Sequence, residues 1–163
     1  MKVLSVVGPS KAGKTTLIEK IVPSLIEKGL RVLVIKHAIS FEIDREGKDS
    51  YRLFRCGADV VISSKEKLAF IARFPDDLEK ICSLFSRYYD IIITEGFNSA
   101  CKDRIVVLNK LNEFERFKCG RILAIVTDYR IEGYRCFSWN DIDKVVDLIL
   151  EWLEFKNQHK LKS

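Results

Sequence analysis

Little in this chain suggests a metal cage, a secreted scaffold or a membrane span. It has two histidines, His37 and His159, and five cysteines, Cys56, Cys82, Cys101, Cys119 and Cys136. No two cysteines form a C-x-x-C pair, so clustered zinc ligands are missing, and an odd, widely spaced set does not suit a disulfide framework. Five reduced thiols in or near the core are therefore expected. No uncharged apolar run approaches the ~18 residues of a membrane span. The apolar start Val3–Val7 is too short for a signal peptide and runs straight into Lys11 and Lys14, so a soluble, cytoplasmic protein is expected. A dinucleotide-binding G-x-G-x-x-G is absent, which leaves hydride chemistry without support. Positive charge is not concentrated either: 28 basic against 23 acidic residues give +5, spread along the chain. That balance excludes a dedicated nucleic-acid surface and leaves room for an anionic ligand.

What is present fits one α/β domain. The 163 residues are 47% hydrophobic, with no repeat, linker or low-complexity segment. The reading is a single nucleotide-binding domain over residues 1–155 and a polar basic tail over 156–163 that frays. Lys2–Gly8 has the near-continuous apolar run of a strand buried on both faces. A Gly-containing turn follows, then a helix over Thr15–Ile26 with apolar residues at 17, 18, 21, 22, 25 and 26, carrying Pro23 inside and ending near Gly29. Arg31–Lys36 is a second strand, which completes a βαβ unit. Ser40–Lys48 reads as an exposed loop, and a short helix starts at Asp49 or Ser50 and ends at Cys56. Strands are expected at 60–63, 68–74, 90–94, 105–108 and 122–126, and a helix at 76–88. Asn140 is the expected N-cap of a closing helix over 141–155. The fold class predicted is a P-loop NTPase-type three-layer fold, with a mainly parallel central sheet flanked by helices.

Gly8-Pro9-Ser10-Lys11-Ala12-Gly13-Lys14-Thr15 satisfies G-x-x-x-x-G-K-[ST] at every fixed position, between a strand and a helix. Glycines let successive N–H groups turn inward onto phosphate oxygens, and the helix N-terminus adds positive potential. Lys14 is expected to neutralise the β- and γ-phosphates, Thr15 to give its hydroxyl to Mg²⁺, and Thr16 to reach the α-phosphate. ATPases that place an intersubunit lysine straight after the first glycine would need it at position 9, where Pro9 stands.

A metal-bound nucleotide also calls for a carboxylate at a neighbouring strand end. Glu95, after the apolar run Ile91–Thr94, is the candidate metal and catalytic residue, with Gly96 beside it leaving an amide free to face the γ-phosphate. Lys36 and His37 close the second strand on the edge where open α/β sheets bind ligands. Asp44 and Asp49 are alternative metal carboxylates, and Asp49 reads equally well as a helix N-cap. Arg45, Lys48, Arg52 and Arg55 make this stretch basic. Asn109-Lys110-Leu111-Asn112 approaches the N-K-x-D guanine-reading element but lacks its carboxylate, with Asp128 a competing one. GTP and ATP therefore both stay open from the residues alone.

With these pieces in place, the chain resembles the molybdopterin-guanine dinucleotide biosynthesis protein B (MobB) family. The resemblance rests on Gly8–Thr16, Val34–His37, Phe41–Arg52, Cys56-Gly57-Ala58-Asp59 and Glu95-Gly96-Phe97. It departs from the family pattern at Ala38-Ile39-Ser40, where a histidine pair is usual, and at Glu46-Gly47, where Pro-Gly is usual. The resemblance implies a homodimeric P-loop protein that binds GTP and Mg²⁺ and hydrolyses GTP weakly at most. It implies assistance in converting molybdopterin to molybdopterin guanine dinucleotide, with a separate guanylyltransferase (MobA-like) and molybdopterin as partners, and neither nucleic acid nor membrane. A P-loop kinase acting on a small anionic metabolite is the competing reading.

Overall fold

The computed structural model describes residues 2–160, which fall into two compact units, 1–37 with 82–163 and 38–81. The first unit is built on a six-stranded sheet in the order β2-β5-β1-β6-β7-β8, with every pairing parallel. The strands are β1 (Val3–Val7), β2 (Val32–Lys36), β5 (Ile91–Glu95), β6 (Asp103–Val107), β7 (Ile122–Val126) and the short β8 (Cys136–Phe137). β1, β5 and β7 lack alternation because both faces of the sheet are covered. On one face, Leu17, Ile21 and Leu25 of α1 (Lys14–Glu27) join Val145, Ile149 and Trp152 of α4 (Ile142–Lys160) over Leu4, Val6, Ile91, Ile93, Ile105 and Val107. On the other, Phe114 and Phe117 from a 3-10 segment, Leu111–Phe117, pack on Val7, Val106 and Ile125. This mainly parallel sheet between helices is the architecture expected from the sequence.

β1 lies between β5 and β6, so the chain leaves its carboxyl end toward β2 on one side while β6 lies on the other. Such a switch point leaves a crevice beyond the strand ends where α/β sheets place ligands. The register puts Lys36 level with Glu95, and Val6 level with Glu95 on the other side. Three stretches that carry candidate site residues thus reach one edge.

Arg31 and Asp90 tie the opposite ends of β2 and β5. The Arg31 guanidinium donates to both carboxylate oxygens at 3.0 and 3.1 Å, and its amide donates at 2.8 Å. These bonds from Arg31 hold the Asp90 carboxyl down at about 2. A depressed carboxyl contributes stability above its unfolded value near ~3.9 and loses it as pH falls through the folded value. Asp90→Asn should therefore flatten the drop in thermal midpoint between pH 4 and pH 2, which melts across that window check.

The second unit carries α2 (Asp49–Arg55), the start of α3 (Leu78–Phe85) and an antiparallel hairpin of β3 (Val60–Ser63) and β4 (Leu68–Ile71). On one hairpin face Val61, Leu68 and Phe70 are exposed. Residues 40–48 contain no helix or strand, as expected.

Several elements differ from the expectation. β8 and the 3-10 segment were not anticipated, since two residues show no period and Leu111–Phe117 carries polar residues at 112, 113, 115 and 116 around its buried phenylalanines. β4 stops at Ile71 and α3 spans only Leu78–Phe85, because Pro75 follows the strand and Asp77 starts the helix, its side chain accepting from the amides of Glu79 and Lys80. The position before α4 is Asp141, not Asn140: its carbonyl accepts from Lys144 and Val145, and its carboxylate from Ser138. α4 continues to Lys160 because nothing in Lys156–Lys160 stops a helix, so residues 156–160 belong to it. The rest of the expected tail, residues 161–163, lies outside the described residues.

The expectation of five reduced thiols is also corrected. Cys101 and Cys119 form a disulfide with their Cα atoms 5.0 Å apart. They lie just before β6 and β7, and the pairing of Arg104 with Ile122 brings those approaches side by side. Of the free cysteines only Cys82 is buried; Cys136 is half-buried and Cys56 exposed.

Candidate functional site: a phosphate loop with a facing carboxylate

The turn from β1 into α1 is held by close packing on both sides. A Cβ on Gly8, which has φ +151°, would lie 2.2 Å from the main-chain oxygen of Val107, and one on Gly13 would lie 2.8 Å from the Trp139 ring. Only glycine fits either place. Lys11 adopts φ 61°, one of two non-glycine residues with positive φ among those described; the other is Phe97, after Glu95-Gly96. Backbone outliers of this kind persist where the surroundings impose them and gather at ligand sites. The side-chain amide of Asn109 donates to the Lys11 carbonyl at 3.4 Å, which braces the loop from the end of β6.

Gly13 is the N-cap of α1 and no side chain caps that helix. The first amides of a helix have no partner within it. Here they open toward the cup formed by Pro9, Ser10, Lys11 and Ala12, next to the positive end of the helix dipole. The Lys14 ammonium turns back over this cup and donates to the carbonyls of Gly8 at 3.1 Å and Pro9 at 2.6 Å. It is half-buried. Burial lowers its pKa below the ordinary lysine value; Glu95 opposes that shift and Lys36 adds to it.

Across the crevice, Glu95 is buried at the end of β5. Its Oε1 accepts from the Thr15 hydroxyl at 2.8 Å and lies 3.2 Å from the Lys36 Nζ. Thr15, Lys36 and Glu95 thus converge, on α1, β2 and β5. The hydroxyl and carboxylate suit a Mg²⁺ ion that takes its remaining ligands from phosphate and water. Among the described residues no three His, Cys, Asp or Glu side chains gather into a metal cage. The His37 amide donates to the Glu95 carbonyl at 2.9 Å, and its ring packs on Phe97 with centroids 4.7 Å apart. Gly96 must be glycine: its φ is +91° and a Cβ would lie 3.1 Å from that of His37. Its amide is not free as expected, because it donates to the Val6 carbonyl at 3.4 Å, as parallel pairing of β5 with β1 requires.

Comparison with known proteins places this geometry in a lineage. The profile of the family "Molybdopterin guanine dinucleotide synthesis protein B", MobB, matches residues 3–128. The chain belongs to the MobB family. It is 33% identical to a protein of Haemophilus influenzae named molybdopterin-guanine dinucleotide biosynthesis adapter protein, over 92% of this chain and 88% of the relative. A crystal structure of molybdopterin-guanine biosynthesis protein B superposes with a TM-score of 0.82 and 45% identity, over 93% of this chain and 99% of the other. Bacillus subtilis MobB superposes with a TM-score of 0.78 at 29% identity, over 93% of this chain and 97% of the other.

Two further expected site residues of this MobB chain are exposed to solvent. Thr16 is exposed in the first turn of α1. Asp49 lies in the second unit, is solvent-exposed and pairs with Arg52 at 3.7 Å. The N-cap of α2 is Lys48, so Asp49 is the first helical residue, where a carboxylate favours the helix dipole. Trp139 and Asn109 support the loop from outside its motif. Trp139 carried no sequence signal, and Asn109 had been read only for base recognition.

Proposed function

We propose that this chain is a GTP·Mg²⁺-binding accessory protein of molybdenum cofactor biosynthesis. It would assist the conversion of molybdopterin to molybdopterin guanine dinucleotide by a separate guanylyltransferase. The observation that carries the nucleotide reading is the uncapped start of α1 opening onto a glycine-held cup, with Lys14 over it and the Thr15–Glu95 pair beside it. Lys14 would leave its loop carbonyls for the β- and γ-phosphates, the unpaired backbone amides of the loop and of the first turn of α1 would hold phosphate oxygens, and Thr15 and Glu95 would hold the metal. The metal, when bound, neutralises phosphate charge. Lys36 and His37 line the open edge beside the γ-phosphate. Asp49 and the basic residues around it are left for a second anionic group.

The names of the relatives support the pathway and the adapter role. Guanine is the base preferred in this reading, because the dinucleotide named by the family is a guanine one. The exposed apolar face of Val61, Leu68 and Phe70 supports a homodimer, since a two-stranded hairpin alone is marginal and gains from a covering surface.

A titration of GTP, ATP and a non-hydrolysable GTP analogue, with and without Mg²⁺, tests this function. GTP should bind more tightly than ATP, the analogue should match GTP, and Mg²⁺ should strengthen both. Turnover should stay well below the ~1–100 s⁻¹ of kinases. Phosphoryl transfer to a small metabolite at kinase rates would replace the adapter with the kinase reading. In Glu95→Gln the Mg²⁺ enhancement should disappear while metal-free affinity remains. An unchanged enhancement would remove Glu95 from the metal site.

A further inference from the structure

The Cys101–Cys119 disulfide stands close behind the phosphate crevice, and the proposed function makes no use of it. The turn over 97–102 leaves the crevice directly after Glu95-Gly96 and enters β6. It is short and tightly bonded: the Ala100 amide donates to the Phe97 carbonyl at 2.9 Å, and the Lys102 amide to the Ala100 carbonyl at 2.7 Å. Phe97 itself holds a φ of 49°, a conformation its surroundings must impose. Cys101 fastens the far end of this turn to Cys119, at the approach to β7.

The bond is placed for exchange. Cys101 is exposed and Cys119 half-buried, so a thiolate can reach the Cys101 sulfur from solvent. Exposed disulfides are the labile ones. Three other cysteines stay unpaired, so the bridge does not belong to a disulfide framework. The backbone around it also keeps its place without the cross-link. Arg104, wholly buried, donates to the carbonyls of Asn98, Ala100 and Lys102 on one side and of Phe117 on the other. Gly120 packs on the same turn so closely that a Cβ there would lie 2.3 Å from the Lys102 carbonyl oxygen and 2.9 Å from the Cys101 carbonyl carbon. Reduced thiols therefore stay apposed, with their Cα atoms near the 5.0 Å of the bridged pair, and the bond can form again without refolding.

We infer that Cys101 and Cys119 form a reversible redox site, opened by an external dithiol, whose state sets the firmness of the turn over 97–102 and through it the affinity of the phosphate crevice. The external thiolate attacks the exposed Cys101 sulfur, the bond between the cysteines breaks, and Cys119 leaves as a thiolate that takes a proton. The second thiol of the reagent then attacks the mixed disulfide at the reagent's own sulfur, and Cys101 leaves and is protonated in turn. The cysteine pair gains two electrons and two protons, and the dithiol loses both in becoming a disulfide. In the reduced chain only Arg104 and the packing of Gly120 hold the turn, so Glu95 and Phe97 are fixed less firmly. The effect on the crevice rests on the nucleotide reading proposed above; the redox chemistry does not.

Thiol counting, residue-resolved hydrogen exchange and calorimetry on the whole chain, before and after dithiothreitol without denaturant, test this site. Alkylation in denaturant should find three free thiols in the untreated chain and all five after treatment. Exchange with oxidised glutathione should join Cys101 to Cys119 again. The amides of Ala100 and Lys102 should exchange about tenfold or more faster in the reduced chain, while those of β1 and β5 keep their rates. Affinity for Mg·GTP should fall about fivefold or more on reduction. The double variant Cys101→Ser, Cys119→Ser should show the reduced behaviour and ignore dithiothreitol, whereas Cys56→Ser should respond as the parent does. Five thiols in the untreated chain, a bridge that opens only in denaturant, thiols that do not pair again, or amide exchange unmoved by reduction overturns the proposal. If no nucleotide binds in either state while the turn still loosens, the nucleotide reading fails and the redox site stands. If Mg·GTP binds equally well in both states, the coupling to the crevice fails and the nucleotide reading stands.

Discussion

Lys14→Ala should lower affinity for Mg·GTP by about a hundredfold or more, while the folded chain should melt within a few degrees of the parent. A charge-assisted hydrogen bond to a shielded partner is worth ~1.5–3 kcal/mol, and ~2.7 kcal/mol is a factor of about one hundred. Without ligand, the ammonium serves only the carbonyls of Gly8 and Pro9, at the mouth of the loop. Water replaces it there at little cost. Lys14→Arg should not rescue binding, because the guanidinium is broader than the ammonium and does not fit its place over the Gly8 and Pro9 carbonyls. Burial of the same ammonium gives the site an alkaline limit. Because burial lowers the Lys14 pKa, its charge is lost at a lower pH than for a solvated lysine, and nucleotide affinity should fall with it. Calorimetric titration of the variants, and of the parent from pH 7 to 10, measures both effects.

The second large effect belongs to stability. Arg104 on β6 is wholly buried and donates to four main-chain carbonyls, at 3.3 Å for Lys102, Asn98 and Phe117 and at 2.6 Å for Ala100. It is the brace for the turn that follows Glu95-Gly96-Phe97, so one side chain joins the core to the edge of the phosphate crevice. Burial lowers its pKa, yet a guanidinium keeps its proton at any physiological pH. Arg104→Leu removes the donors and leaves those carbonyls behind. With ~1–3 kcal/mol for each buried group left unsatisfied, partly relieved by water, a loss of about 3–5 kcal/mol is expected. In a chain of this size that lowers the thermal midpoint by roughly 10 °C. Chemical denaturation and thermal melts test it, and a change within ~0.5 kcal/mol would show that the carbonyls find other donors or water.

The features legible in the sequence were those where chemistry restricts residue type at fixed spacing. Gly8, Gly13, Lys14 and Thr15 were readable because a phosphate cup admits few alternatives, and the buried strands because two covered faces erase alternation. Glu95 followed from the strand that ends beside it. What stayed hidden depends on contacts between distant segments. A charged residue such as Arg104 is exposed by default, and only the carbonyls converging on it explain its burial. Trp139 closes the back of Gly13 from far along the chain. The Cys101–Cys119 pairing depends on the β6–β7 register. Gly96 was read as a free amide, because strand pairing with Val6 cannot be foreseen from one strand.

Residue-resolved hydrogen exchange on addition of saturating Mg·GTP tests the central claim most directly. The amides of residues 10–16 should slow markedly, with smaller protection at 95–97 and no change in Lys14→Ala at the same concentration. Nucleotide bound with these amides exchanging as before, or no binding of any nucleoside triphosphate, would contradict it.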